Sequence, residues 1–303
     1  MARFHPTRRQ FGLGLGAALA LAPFSRALAQ GETHTITNWR GTYDIPANPR
    51  RIIAIDQRID LETALVLQVP LLAYSDRQLQ PWVPADPAMR KISSPPNMEE
   101  ILGLEPDLFI CSDWGELENW PIARLSEIAP VLPLTNDLDW RENLANVGEW
   151  LGIEGRARDA MGQYDTAVAE VARKHAALLD TTRLALLYYF PEDDQVFIRG
   201  HDSAQERVLR DIGGHTLGAD EFETGAVSME NLPDLLADVD VIIYSDFSGD
   251  DSYSQLLAHP LWPRVPAVAA GKVHHSVGNT NFGGAYTAMQ IAREWDAAYS
   301  LLS

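Results

Sequence analysis

Two stretches of this chain run almost in parallel, and that doubling is the strongest constraint on its fold. Asn97-Met98-Glu99-Glu100-Ile101-Leu102 leads on to Pro106-Asp107-Leu108-Phe109-Ile110-Cys111-Ser112-Asp113. Ser228-Met229-Glu230-Asn231-Leu232-Pro233 leads on to Val239-Asp240-Val241-Ile242-Ile243-Tyr244-Ser245-Asp246. Each reads as a capped helix, a break, and a short buried strand that stops at Ser-Asp. One unit used twice predicts two similar lobes. Lobes that face each other enclose a cleft, a favoured place for small ligands.

The rest of the chain fits that plan. Residues 34–44 read as a hairpin with Gly41 at the turn. Apolar strands at 51–55, 69–74, 108–112 and 131–134 alternate with short helices at 60–67, 97–103 and 122–128. That alternation indicates a parallel sheet with helices on its faces. Residues 141–180 break the rhythm. Ala157, Ala160, Met161, Tyr164, Val168, Val171, His175 and Leu178 recur at helical spacing, which predicts one long amphipathic helix with His175 packed on its apolar stripe. Strands then return at 184–189, 196–198, 239–244 and 272–276, and an amphipathic helix spans 285–302. The predicted class is α/β: two similar α/β lobes with mostly parallel sheets, joined by one long backbone helix, with a cleft between them. The expected division is a signal peptide at 1–29, an N-terminal lobe at 30–147, a linking helix at 148–182, a C-terminal lobe at 183–284 and a terminal helix at 285–303.

The first 29 residues hold Arg3, Arg8, Arg9 and Arg26 and no acid. Phe11–Ala22 is apolar and too short to span a bilayer comfortably, and Ala27-Leu28-Ala29 is an A-x-A cleavage site. Thr7-Arg8-Arg9-Gln10-Phe11 is a twin-arginine signature, so the expectation is export to the periplasm with cleavage after Ala29. Losing four of 24 basic residues leaves 20 against 42 acidic ones, a net charge near −22. That balance argues against nucleic acid and against docking on an anionic membrane. The single cysteine, Cys111, lies in an apolar run and reads as a packed strand residue.

No G-x-S-x-G, G-x-x-x-x-G-K-[ST] or H-E-x-x-H motif occurs, and no spacing assembles a Ser-His-Asp triad. His274 and His275 are adjacent in a strand, so they point to opposite faces and cannot chelate one ion together. Neither an enzyme, nor a resident metal, nor a cofactor is expected. The strand tips carry a different signal. In parallel α/β sheets ligands bind beyond the carboxyl ends of the strands. Reading past each strand gives Arg58, Arg77 with Trp82, Trp114, Arg199, Phe247 with Tyr253, and Phe282. Aromatic faces suit a bulky, partly apolar ligand and arginine an oxygen-rich one.

On these residues the chain resembles the periplasmic substrate-binding proteins of ABC importers for ferric siderophores and cobalamin, and most closely the hydroxamate siderophore binders. The carriers are Arg51-Ile52-Ile53-Ala54, Pro96-Asn97-Met98-Glu99 through Pro106-Asp107-Leu108, Ile128-Ala129-Pro130, Pro260-Leu261-Trp262 and Ala270-Gly271-Lys272-Val273. The resemblance implies two lobes on a long helix, a rather rigid cleft and no catalytic residues. Where the hydroxamate binders place an arginine before Pro-Asn, this chain has Ser93, with Arg90 and Lys91 upstream. Where they place a tyrosine after the third strand, it has Trp114-Gly115. Phe222 matches a cleft tryptophan and Phe282 an aromatic after the last strand.

The implied role is capture of a ferric siderophore by a monomeric periplasmic protein that passes it to an inner-membrane ABC permease dimer. Iron then arrives already chelated. Asp76, Asp113, Asp246, Asp250 and Asp251 among the tips favour a neutral or cationic, hydroxamate-like chelate over a strongly anionic one. A cobalamin or haem binder of the same transporter class is the alternative, and a secreted two-lobed α/β enzyme is the alternative of another class. Glu99 and Glu230 occupy matching places in the doubled unit. The resemblance assigns them to arginines on the two halves of the permease, whereas helix-dipole chemistry alone also favours acids in a first helical turn.

Overall fold

The computed structural model describes residues 32–75, 77, 79–135, 139–199, 203–216, 225–246 and 251–303. The twin-arginine segment at 1–29 lies outside them, as do Phe222 and Phe247 and the acids Asp76 and Asp250.

A hairpin opens the described chain: β1 (Thr33–Asn38) pairs antiparallel with β2 (Gly41–Pro46), Asn38 facing Gly41. The first lobe is built on β3 (Ile52–Ala54), β4 (Leu71–Ser75), β5 (Arg90–Ile92), β6 (Leu108–Ser112) and β7 (Val131–Leu134). Their order is β5-β4-β3-β6-β7 and every neighbouring pair is parallel. The helices are α1 (Ile59–Val66), α2 (Met98–Gly103) and α3 (Ile122–Ser126). From β3 the chain winds outward to β5, then returns to β6 on the other side of β3. The carboxyl ends of β3 and β6 therefore flank a topological switch point, where open α/β sheets bind ligands.

The second lobe holds β8 (Leu184–Phe190), β9 (Gln195–Ile198), β10 (Gly225–Ser228), β11 (Val241–Ser245) and β12 (Val273–Ser276). The order β10-β9-β8-β11-β12 again puts the first strand in the middle. Here β9 runs antiparallel to both its neighbours, while β8, β11 and β12 are parallel, so this sheet is mixed. Its helices are α6 (Ala204–Ile212), α7 (Leu232–Leu235), α8 (Ser252–Ala258) and α9 (Pro266–Ala269), preceded by α4 (Trp140–Trp150) and α5 (Glu154–Lys174) between the lobes and followed by α10 (Ala285–Ser300).

The doubled unit is only half realised as expected. Asn97 caps α2, its side chain accepting from Glu99 N and Glu100 N at 2.9 and 3.3 Å. Ser228 is not the N-cap of α7, a position that Asn231 takes. Ser228 ends β10 and pairs with Gln195 of β9, so the ladder has claimed the residue that would have capped a helix. Glu230 stands in a turn, and α7 begins at Leu232 with Pro233 in its first turn.

The long helix is also shorter than its apolar stripe. Gly152 adopts φ +64°, a left-handed turn that ends α4 and restarts the chain as α5. At the other end His175 leaves the helix, buried, stacked on Tyr299 at 5.2 Å and bonded through Nε2 to Asp296 at 2.7 Å. Between those ends α5 joins the lobes. Ala157 lies in the core over the first sheet, while Tyr164, Val168 and Val171 lie in the core over the second. Cys111 is fully buried in β6.

Candidate functional site at the strand tips

The switch point of the first sheet is pinned from below. Asp60, fully buried in α1, accepts from Asp56 N at 2.9 Å, Ser112 N at 3.0 Å and Ser112 Oγ at 2.6 Å. One carboxyl thus joins the ends of β3 and β6. Burial, with the Asp56 carboxylate beside it, holds this carboxyl well above the usual range.

Asp56 in turn fixes Arg58. Its Oδ1 accepts from Arg58 N and Nε at 2.7 and 3.0 Å, and its Oδ2 from Nη2 at 2.7 Å. The fork leaves the guanidinium plane no freedom. Cζ of Arg58 sits 4.9 Å from the Phe282 ring centroid and 5.9 Å from that of Trp120, within cation–π range of both. Trp114 completes the group, 5.7 Å from Trp120 and 5.7 Å edge-on to Phe282. Trp114 and Trp120 follow β6, whereas Phe282 follows β12. The cluster is therefore a contact between the two lobes at their strand tips.

Two cavities border this contact, one at Arg58 and Trp120 and the other at Phe282, and Trp114 is in the lining of neither. One of about 290 Å³ is lined by Asp56, Arg58, Arg77, Gln80, Trp120 and Asn279, among others. The other, of about 180 Å³, is lined by Arg141, Arg199, Arg207, Asp211, Asn281 and Phe282, among others. Arg77 is exposed at the rim of the first. Arg199 faces the second, with Cζ 5.6 Å over the Tyr188 ring and a buried Nε that meets no acceptor among the described residues. Arg141 and Arg207 are paired across the lobes, to Asp211 at 2.7 Å and Asp139 at 3.7 Å. Of the three arginines singled out in the sequence, Arg58 already has a carboxylate partner, whereas among the described residues no ion pair joins Arg199 to an acid.

Trp82 sits deeper between the lobes. Its Nε1 donates to Thr287 Oγ1 at 2.9 Å, and its ring presses on Gly278, where a Cβ would lie 2.9 Å from the indole. Gly278 also has φ +92°, so the position favours glycine on both counts. Tyr253 stacks on His275 at 3.9 Å and lies 4.7 Å from Tyr244, and His275 Nε2 meets Asp246 Oδ2 at 3.1 Å. His274 points the other way, to Glu294, as strand alternation requires. Glu99 and Glu230 are both exposed.

Trp120 and the Gln80–Asn279 bond across the lobes, 2.9 Å from Asn279 N, escaped the sequence reading. A second tryptophan in the loop that follows a buried strand was the available signal for Trp120. Among the described residues no group of three or more His, Cys, Asp or Glu is placed to hold a metal ion, and no helix is long and apolar enough to cross a membrane.

Two lobes joined by one long helix, with aromatic side chains from both in contact at their strand tips beside two cavities, frame a candidate ligand site. Residues 76–276 match the family model described as periplasmic binding protein, and the chain belongs to that family. It is 23% identical over 269 residues to the iron(3+)-hydroxamate-binding protein FhuD of Escherichia coli (strain K12), covering 83% of this chain and 87% of that one. It is also 23% identical over 205 residues to the iron-uptake system-binding protein of Bacillus subtilis (strain 168), covering 63% of this chain and 60% of the relative's length. Among solved structures, a FhuD fold-family periplasmic binding protein component of a ferrichrome ABC transporter from Bacillus subtilis superposes with a TM-score of 0.73 at 18% identity, over 88% of this chain and 99% of that one.

Proposed function

We propose that this protein captures a ferric siderophore in the inter-lobe cleft and delivers it to an inner-membrane ABC permease. The observation that carries the reading is the Trp114–Trp120–Phe282 cluster with Arg58 across it, drawn from both lobes at a topological switch point. Aromatic faces bury the apolar shell of an iron chelate, and the free edges of Arg58, Arg77 and Arg199 meet its oxygens. Trp82, Tyr253, Phe222 and Phe247 are further wall residues proposed from the sequence. The relatives that bind ferric hydroxamates or serve iron uptake support the same class of cargo.

A hydroxamate-like chelate of neutral or positive charge fits best. Asp56 offsets Arg58, and Asp139 and Asp211 offset Arg207 and Arg141, so carboxylates already balance three of the arginines that line the two cavities. The protein acts as a monomer, exported by the twin-arginine route and released by cleavage after Ala29. Glu99 and Glu230 are the proposed contacts to the two halves of the permease.

A titration of the purified protein with ferrichrome, ferrioxamine B, ferric citrate, cobalamin and haem, followed by tryptophan fluorescence, tests the reading. A stoichiometric, saturable isotherm with a ferric hydroxamate and no product is expected. Saturation by cobalamin or haem alone would move the assignment to that cargo, and product formation would move it to an enzyme.

A further inference from the structure

The N-terminal hairpin joins neither lobe's sheet, yet it touches the loop that carries Trp114. Its base is firmly seated. Ile36 and Ile45 are buried in the first lobe's core. Tyr43 Oη donates to Val131 O at 2.5 Å, and His34 Nε2 lies 2.7 Å from Trp150 O. Its tip is Trp39-Arg40. Trp39 leans on Trp150, with ring centroids 6.0 Å apart.

From that tip, Trp39 Nε1 and Arg40 Nη1 both donate to Asp113 Oδ2, each at 3.1 Å. Arg40 Nη2 donates to Glu116 Oε1 at 3.3 Å. The carboxylate of Glu116 also accepts from Ala123 N, at 3.2 and 3.1 Å to its two oxygens, in the first turn of α3. The two residues on either side of Trp114-Gly115 are therefore both held by one anchored hairpin. Without Arg40, two carboxylates would face each other across a short loop.

We propose that the Trp39-Arg40 tip is a positioning element of the ligand site, holding the 113–121 loop so that Trp114 meets Trp120 and Phe282. The proposal rests on Trp114 being a wall of that site. The side chains of Arg40, Asp113 and Glu116 are 31%, 14% and 50% exposed, so each ion pair is weak by itself and screened by salt. Their effect is preorganisation: a loop already in its bound form need not be ordered by the ligand.

The test compares wild type, Arg40→Ala, Trp39→Phe, Trp114→Ala and the charge exchange Arg40→Asp with Asp113→Arg. Hydrogen–deuterium exchange across 113–121 is read without ligand, and affinity is read with ferrichrome and ferrioxamine B. Arg40→Ala should speed exchange in 113–121 and weaken binding about three- to tenfold, chiefly through a faster off-rate, with the melting temperature unchanged. Trp39→Phe should do the same more mildly, and the charge exchange should move both readouts back toward wild type. Unchanged exchange and affinity in Arg40→Ala, in a protein whose Trp114→Ala variant does bind more weakly, would overturn the positioning role alone. Unchanged affinity in Trp114→Ala would instead overturn the binding reading beneath it.

Discussion

Glu62 and Thr287, 225 residues apart, join the two lobes through one carboxylate: Thr287 N donates to Oε2 at 2.8 Å and Thr287 Oγ1 to Oε1 at 2.5 Å. Gly284 N adds a third bond at 3.0 Å, so Glu62 of α1 caps the amino end of α10. Glu62 has no exposure to solvent. Helix α1 packs on the first sheet and α10 on the second, so this cap fixes how the lobes sit beside the cleft.

Burial pushes the Glu62 carboxyl up from its ordinary 4.5 to about 7, against the pull of its hydrogen bonds. Folding then binds a proton between those values. The stability contributed by this raised group is fully present below about pH 4.5 and is lost as pH climbs through about 7. A shift of this size corresponds to a few kcal/mol, on the order of 3. Glu62→Gln should therefore lose less stability than wild type between pH 5 and pH 8, measured by urea unfolding at each pH. Parallel pH profiles for the two proteins would show that Glu62 does not titrate across this range.

Delivery makes a separate claim. Glu99 and Glu230 are exposed, and among the described residues no ion pair ties either to the fold. Exposed pairs are worth about 0.2–1 kcal/mol each and set orientation and on-rate more than affinity. Glu99→Arg combined with Glu230→Arg should keep the melting temperature and the affinity for ferric chelate while abolishing uptake by cells. Normal uptake by the double variant would leave Glu99 as a helix-end charge and Glu230 as a turn residue.

Export is tested at the other end of the chain. Protein recovered from the periplasm should begin at Gln30, and Arg8→Lys with Arg9→Lys should stop its export. A chain still starting at Met1, or full export of the lysine variant, would contradict the twin-arginine route.

Much of the fold was legible because its signals are local. Apolar runs such as Leu108–Ser112 and Val241–Ser245 are strands buried on both faces, and Asn97 caps its helix through its own side chain. What failed depended on distant partners. Ser228 reads as a cap until β9 pairs with it, and the β8–β9–β10 ladder has no local sign. Strand β5, only three residues with two of them charged, is made by its pairing with β4 and not by its composition. Trp114, Arg58 and Phe282 could be placed at strand tips, since tips follow strands. That they touch one another depends on lobe packing set by Glu62, Trp82 and Gln80, which no periodicity records. The clamp of Asp56 on Arg58, two residues apart, was within reach of a local reading.

A ferric chelate in the proposed site lies against aromatics contributed by both lobes. The most direct measurement is a calorimetric titration of wild type and Trp114→Ala with whichever ferric chelate binds the wild type most tightly. Losing one aromatic wall removes on the order of 1–3 kcal/mol of binding. Wild type is expected to bind one equivalent, and Trp114→Ala to bind about tenfold or more weakly with an unchanged melting temperature. Equal affinity in the two proteins, or no saturable binding of any ferric chelate by the wild type, would contradict the account.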